Sequence, residues 1–233
     1  MNLAINYQTS ICRPPPSPAA LNGGCSHRRR IVGNWPRISA IETVASTAPE
    51  VVKSDPQSSP VRFLILLRHA ESSWSNPSLR DHDRPLSKAG EAEAAKLSVK
   101  LQRLGWVPQL VLCSDALRTR ETLRVMQAQG RLLSDVEVRY VPSFYSVAAM
   151  DGQTAEHLQE TVCKYSSDNI VTVMCMGHNR GWEEAASMFS GTEIELKTCN
   201  AALLEASGST WEETFHMAGR GGWRFLGVVK PED

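Results

Sequence analysis

The sequence predicts an α/β domain, a three-layer α/β/α sandwich with a mainly parallel sheet, and three observations carry that prediction. Short apolar runs at 61–67, 109–113 and 169–176 each stop abruptly at polar or cationic residues, as buried parallel strands do at their carboxyl ends. Segments of helical period lie between them, long enough to serve as crossovers between parallel neighbours. The chain has 233 residues, 42% hydrophobic and 21% charged, which is enough to bury one sizeable core.

Composition limits the function. There are 25 basic and 25 acidic residues, so no global field draws the protein toward nucleic acid or an anionic membrane, and any anion site must be local. No apolar run approaches the ~20 residues of a membrane span. Cys12, Cys25, Cys113, Cys163, Cys175 and Cys199 form no C-x-x-C pair, and three of them sit in apolar runs. That usage predicts reduced core thiols and neither a disulfide framework nor a zinc site.

Residues 1–59 read differently. From Met1 to Ile41 there is no Asp or Glu, while Arg13, Arg28, Arg29, Arg30 and Arg37 supply positive charge among frequent Ser, Pro and Asn. That is the composition of an organellar transit peptide. The run Pro14-Pro15-Pro16 interrupts any secretory apolar core, and the Ser/Pro character favours the chloroplast over the mitochondrion. The alternative is a basic tail that stays attached to a cytoplasmic protein. Pro49, Pro56 and Pro60 mark the stretch from Glu42 as linker, which puts the folded domain at 60–233.

Within the domain, the first strand delivers Arg68 and His69 at its carboxyl end, where open α/β sheets bind ligands. Ser72 to Pro85, with Trp74, Asn76, His82, Asp83 and Arg84, has no periodicity and is expected to be a loop bordering the pocket. A helix follows, capped by Ser87, with Ala94, Leu97, Leu101 and Leu104 on its apolar face and Gly105 and Pro108 stopping it. The second strand runs into a helix that Ser114 or Asp115 can cap. Side chains lean toward a helix's amino end, so Arg118 points back at the strand edge, with Thr122 one turn behind it. Arg120 and Arg124 go to solvent.

Val136, Val138 and Tyr140 alternate with Glu137 and Arg139 as a half-buried strand. A helix is expected from Thr154 to about Lys164, with Glu156, His157 and Glu160 on its solvated face. The fourth strand ends in Gly177-His178-Asn179, where Gly177 permits close backbone approach and Asn179 can cap the helix holding Trp182, Ala185 and Ala186. Ala202–Leu204, Trp211–Phe215 and Trp223–Val229 read as strands completing the sheet.

Three strand ends thus offer Arg68 with His69, Ser114 with Arg118, and His178. Two guanidiniums and two imidazoles suit a tetrahedral oxyanion, so convergence of these ends makes a phosphoryl site. Cys175 and His178 stand at C-x-x-H spacing without a second pair, so no metal is expected. The chain lacks a Cys-x5-Arg nucleophile and a G-x-x-x-x-G-K-[ST] loop, and the D-x-D at Asp81–Asp83 follows no strand. The remaining nucleophile is histidine.

At these residues the chain resembles the histidine phosphatase superfamily, the phosphoglycerate-mutase-like group. The R-H-G signature stands here as Arg68-His69-Ala70, the S-x-x-x-R-x-x-x-T pattern as Ser114, Arg118 and Thr122, and the distal G-H-N as Gly177, His178 and Asn179. The resemblance spans about Val61 to Val229. R-H-A followed by Ser72-Ser73-Trp74 and Asp81-His82-Asp83-Arg84-Pro85-Leu86 looks most like SixA-type phosphohistidine phosphatases. It implies a phosphoglycerate-mutase-like fold and a covalent nucleophile at His69. It implies that Arg68, Arg118 and His178 hold the phosphoryl group, and that Ser114, Thr122 and Asn179 support binding.

The expected protein is therefore a cofactor-independent phosphatase working through a phosphohistidine intermediate. Its partner would be a phosphorylated protein or a small phospho-metabolite, with neither nucleic acid nor membrane involved. A sugar-phosphate phosphatase of the same fold and a non-catalytic phosphate-binding module are the alternatives, and the intact His and Arg set argues against the second. Mutase-type members carry a catalytic Glu after the third strand, where this chain has Phe144–Ala149, so mutase activity is not expected. The general acid has only Glu71 and Asp151 as candidates.

Overall fold

The computed structural model describes residues 60–129, 133 and 135–232. The leader and linker expected over 1–59 lie outside the described residues. The strands are β1 (Val61–Arg68), β2 (Leu110–Cys113), β3 (Glu137–Tyr140), β4 (Thr172–Gly177), β5 (Ala201–Ser207) and β6 (Arg224–Val229), forming one sheet in the order β3-β2-β4-β1-β5-β6. The helices are α1 (Lys88–Arg103), α2 (Leu117–Ala128), α3 (Ser143–Val147), α4 (Thr154–Tyr165), α5 (Gly181–Ser190) and α6 (Trp211–Ala218), with one 3-10 turn at Asp81–Asp83.

The sheet is mixed. β3, β2, β4 and β1 pair in parallel, whereas β5 runs antiparallel to β1 and to β6. The parallel part is the portion built from crossover helices, and the expected parallel sheet holds there. The carboxyl-terminal strands depart from it because β5 enters from the carboxyl end of the sheet, where the loop after α5 leaves the chain, and so must run back.

Alternation along the strands divides the core between two faces. Leu64, Leu66, Leu110, Leu112, Val173 and Cys175 pack with Phe144, Leu158, Val162, Trp182, Ala185 and Phe215. Ile65, Leu67, Val111, Cys113, Met174 and Met176 pack on the other face with Ala94, Leu97, Leu101, Leu123 and Met126 from α1 and α2. β1, β2 and β4 are apolar on both faces because helices cover both. Each fully buried Leu or Ile contributes roughly 1.5–3 kcal/mol by transfer from water. Ser98 on α1 donates its hydroxyl to the carbonyl of Met126 at 2.8 Å, tying α1 to α2.

Several local expectations hold. Ser87 caps α1 by accepting from the amide of Gly90, Arg120 and Arg124 are exposed, and Cys113, Cys175 and Cys199 are buried free thiols whose pKa burial pushes up. Other expectations are corrected. Trp211–Phe215 is helical: Thr210 accepts from the amide of Glu213 while Glu213 accepts from the amide of Ser209, a reciprocal cap that fixes the helix start. Leu104 is the C-cap of α1 and stays exposed. His157 is half-buried, bonded to the Ser143 hydroxyl at 2.8 Å and packed edge-on against Phe144.

At the amino end of β1, Arg62 is buried with no carboxylate partner among the described residues. It donates to the carbonyls of Gly208, Ile170, Asp168 and Ser209 and lies over the Trp211 ring at 5.5 Å. One cation therefore joins the turns before β4 and after β5 at the sheet end opposite the candidate site.

Candidate active site

Strand register brings the three carboxyl ends together. Arg68 pairs with Gly177 and Cys113 with Met176, so His69, Ser114 and His178 follow side by side. The amide of His69 donates to the carbonyl of Gly177 at 3.0 Å, and that of Ser114 to Met176 at 2.9 Å. Cys199 holds the same backbone from the other side, donating its amide to the His69 carbonyl at 3.0 Å from a left-handed conformation, φ 57°. The close approach at Gly177 is made by Trp182: a Cβ there would lie 2.2 Å from its ring.

The hydrogen bonds fix both imidazole tautomers. A guanidinium can only donate, so the 3.0 Å contact from Arg118 Nε to His69 Nε2 makes Nε2 the unprotonated nitrogen, its lone pair accepting this hydrogen bond. Its proton then sits on Nδ1, 2.7 Å from the carbonyl of Ala70, and donates to it. By the same logic Arg118 Nη2 donates to His178 Nδ1 at 3.3 Å, and His178 Nε2 donates to the Ser114 hydroxyl at 2.8 Å. Both imidazoles are buried. Burial, the cations Arg118 and Arg68, and only partial compensation from the Ala70 bond lower the pKa of His69 to about 3. Burial, then His69 and Arg118, lower His178 to about 2. Both rings are neutral at neutral pH.

Arg118, on the first turn of α2, is buried and fully engaged: Nη1 donates to the backbone carbonyl of Asp81 at 2.6 Å and Nη2 to its carboxylate at 2.9 Å. Asp81 also accepts from Arg84 at 3.0 Å and from the Tyr145 hydroxyl at 3.0 Å. Partial burial pushes the Asp81 pKa up, but the Arg118 charge and these hydrogen bonds outweigh it and hold the group below the usual carboxylate range. Arg68 donates Nη1 to the carbonyl of Leu196 at 2.8 Å, and its buried Nε has no hydrogen-bond partner among the described residues. Burial lowers its pKa against the opposing charge of Glu183.

Arg68, His69, Arg118 and Asp81 floor a cleft of about 630 Å³ whose walls include Glu71, Ser72, Ser73, Trp74, Arg84 and Ser87. The loop 72–85 therefore borders the pocket, as expected of a segment without periodicity that starts at the site. His69, Asp81 and Arg118 also face a second cleft, of about 470 Å³, with Tyr145, His178, Asn179 and Arg180.

The other expected residues fall in different places. Ser114 is buried and binds His178; it does not cap α2, whose N-cap is Ala116. Thr122 is buried behind the site, where its hydroxyl accepts from the Ala70 amide at 3.1 Å and donates to the Arg118 carbonyl at 2.7 Å. Asn179 lines the second cleft and is not the cap of α5, which begins after Arg180 in a left-handed turn, φ 46°. Glu71 lines the first cleft, accepting from the Ser87 hydroxyl at 2.6 Å. Asp151 lies outside both clefts, 80% exposed and 3.4 Å from Arg180.

Sequence reasoning missed Asp81 and Tyr145. Asp81 stood in a quoted motif, Asp81-His82-Asp83-Arg84-Pro85-Leu86, but was weighed only as a strand-borne nucleophile. Tyr145 sits on α3, too short a helix to show a period. Its ring lies edge-on to His178 at 5.3 Å and to His82 at 4.9 Å.

Residues 64–174 match the histidine phosphatase superfamily (branch 1). An uncharacterised chloroplastic protein of Arabidopsis thaliana is 62% identical over 191 residues, covering 80% of this chain and 88% of that protein. The chain belongs to the histidine phosphatase superfamily. An uncharacterised protein of Mycobacterium tuberculosis is 31% identical over 139 residues, 60% of this chain and 77% of its own length. Among solved structures, SixA of Nakamurella multipartitia superposes with a TM-score of 0.61 at 23% identity, covering 76% of this chain and all of that one. The protein histidine phosphatase SixA solved with tungstate gives 0.55 at 20%, covering 72% and 97%. These two share the fold of this superfamily member.

Proposed function

We propose that the protein is a cofactor-independent phosphatase acting through a phosphohistidine on His69, on substrates whose leaving group departs without an acid, phosphohistidine proteins foremost. The observation that carries this reading is the Arg118-to-His69 hydrogen bond, which leaves the Nε2 lone pair unprotonated and directed at a guanidinium suited to phosphoryl oxygens.

In the first step Nε2 bonds to phosphorus while the bond to the leaving atom breaks and that atom keeps the electron pair. In the second, water attacks the phosphohistidine, inorganic phosphate leaves, and His69 regains its lone pair while the water proton passes to phosphate or solvent. Arg68 and Arg118 neutralise the equatorial oxygens of the loose transition state, so this reading needs no metal or organic cofactor.

The preference for good leaving groups rests on the carboxylates. Asp81 is held ionised by Arg118 and hydrogen bonds, Glu71 is bonded to Ser87, and Asp151 lies outside the cleft. Asp81 in its ionised form therefore has no proton to give a departing atom. The imidazole of phosphohistidine can leave already protonated. The protein histidine phosphatase SixA shares this fold, and the proposed substrate class is in keeping with that. The name of the Arabidopsis relative supports a chloroplast location, in keeping with the acid-free, Arg- and Ser-rich leader.

The deciding experiment mixes the protein with labelled phosphoramidate and quenches within milliseconds. An acid-labile, alkali-stable phosphate should appear on the wild type and be absent from His69→Ala. Turnover by the alanine variant at the wild-type rate would remove His69 from the reaction. Fusing residues 1–59 ahead of a fluorescent protein should direct it to plastids, and diffuse cytosolic signal would refute that placement.

A further inference from the structure

Trp74 stands in the wall of the cleft that holds Arg68, His69 and Arg118, yet it is 75% exposed. Exposure alone carries nothing, since Leu104 and Met217 are also well exposed and single apolar residues on a surface are ordinary. What separates Trp74 is how it is supported. The Arg84 guanidinium lies against one face of the indole, its Cζ 3.1 Å from the ring centroid. Arg84 is buried, and each part of its fork is committed: Nε to the carbonyl of Ser73 at 3.3 Å, Nη1 to Asp81 at 3.0 Å and Nη2 to the Ser72 hydroxyl at 2.9 Å. The ring is therefore backed by a fixed planar cation, itself tied through Asp81 to Arg118, and not left to rotate in solvent.

We infer that Trp74 is a stacking platform for a planar, aromatic or heteroaromatic leaving group on the phosphoryl substrate. The inference rests on the phosphoryl site proposed above. With the phosphoryl group on the cleft floor, the rest of the substrate occupies the space between that floor and the mouth, and besides the proposed nucleophile His69, Trp74 is the aromatic side chain among the described residues lining this cleft. One face of its indole is occupied by Arg84, so the other is the face left for a ligand. Offset stacking on an indole needs only a π-face from the partner, so the platform accepts imidazole or phenyl rings and gives no comparable advantage to a small alkyl group. The serine hydroxyls around it and Glu71 can meet polar atoms at the ring edge. The residue thus sets specificity by binding the part of the substrate that departs, and it touches no atom of the phosphoryl group.

The test uses phosphonates, which cannot be hydrolysed and so separate the platform from catalysis. Phenylphosphonate and methylphosphonate are titrated calorimetrically into wild type, Trp74→Phe and Trp74→Ala of the full chain. Wild type should bind the phenyl compound on the order of tenfold more tightly. That ratio should survive in Trp74→Phe and collapse toward one in Trp74→Ala. Competition between inorganic phosphate and both compounds would place them on the cleft floor. Equal wild-type affinities, or a ratio unchanged in Trp74→Ala, would overturn the platform while leaving the phosphoryl site standing. Failure of wild type to bind either phosphonate or phosphate would overturn the phosphoryl site and the platform with it.

Discussion

Arg118 Nε donates to His69 Nε2 at 3.0 Å while its Nη groups grip both the backbone carbonyl and the carboxylate of Asp81. One side chain therefore sets the tautomer of the proposed nucleophile and is itself aimed by the loop that borders the cleft. Lysine carries the charge but has no planar fork, so it cannot hold His69 and Asp81 together. Arg118→Lys and Arg118→Ala should each lower kcat/KM by on the order of 10²-fold or more, as loss of one preorganised oxyanion donor does. A change within twofold, measured with an aryl phosphate, would place Arg118 outside the reaction.

The Asp81 carboxylate occupies the Arg118 donors that an incoming phosphoryl group needs. Asp81→Asn removes a negative charge from the cleft, so inorganic phosphate should bind more tightly. The side chain is half-exposed, which screens the effect to on the order of tenfold in Kd. Turnover should fall, because the amide keeps one acceptor oxygen for Arg118 and the Tyr145 hydroxyl but loses the charge that aims Arg118 and the second oxygen that accepts from Arg84. Phosphate inhibition measured alongside kcat separates the two effects, and weaker phosphate binding would contradict the competition.

His69 and His178 also link stability to pH. Their pKa values fall from 6.5 in the unfolded chain to about 3 and about 2 in the fold, so between those limits the unfolded state binds more protons. Their contribution is fully present above pH 6.5 and is lost as the pH falls through the window toward 3. Tm should therefore drop as the pH is lowered from 7 to 4. The double variant His69→Gln/His178→Gln should show a shallower drop, by scanning calorimetry. Equal slopes for variant and wild type would mean the imidazoles are not buried neutral.

Arg62 predicts stability without activity. Its buried guanidinium satisfies four backbone carbonyls at the sheet end away from the cleft. Arg62→Met keeps an apolar stem but removes the donors to the Gly208, Asp168 and Ser209 carbonyls, while Ile170 keeps the Trp211 indole N–H, and the loss should cost about 2–4 kcal/mol in denaturant unfolding. The kcat/KM of the folded variant should match wild type. A loss of activity without loss of stability would reverse this assignment.

How much was legible in the sequence depended on whether local pattern or tertiary context decided the element. β1, β2 and β4 announce themselves because apolar runs end at Arg68, Ser114 and Gly177, and parallel register then brings His69 and His178 together with no further information. The mixed sheet was not legible, since nothing local distinguishes an antiparallel β5 from a parallel one. Trp211–Phe215, expected as a strand, carries two aromatic residues that favour strands, and the Thr210-to-Glu213 cap beside it decides for helix. Asp81 was hidden for another reason. Its partners Arg84, Arg118 and Tyr145 come from three segments, and only the fold shows that they meet on one carboxylate.

The state of that carboxylate leads to the last prediction. General acid catalysis normally supplies about 10² to 10⁴ for a poor leaving group, and it needs a protonated acid within reach of the departing atom. Asp81 cannot serve, because Arg118, Tyr145 and Arg84 all bind its ionised form and hold its pKa down. Protonating it would break the ion pair that aims Arg118. The rate should then depend steeply on how readily the leaving group departs. In a series of phosphate esters of graded leaving-group pKa, log kcat/KM should fall as that pKa rises, with alkyl and sugar phosphates poorest and a phosphohistidine peptide and aryl phosphates best. Breakdown of the phosphoenzyme can mask this in kcat, so kcat/KM is the quantity to compare. Raising the pH should not change the slope, since no acid is being titrated. A flat series, with a sugar phosphate equal to the phosphohistidine peptide, would mean an acid does reach the leaving atom. Glu71→Gln would then be the first variant to make, because Glu71 lines the cleft and Asp151 does not.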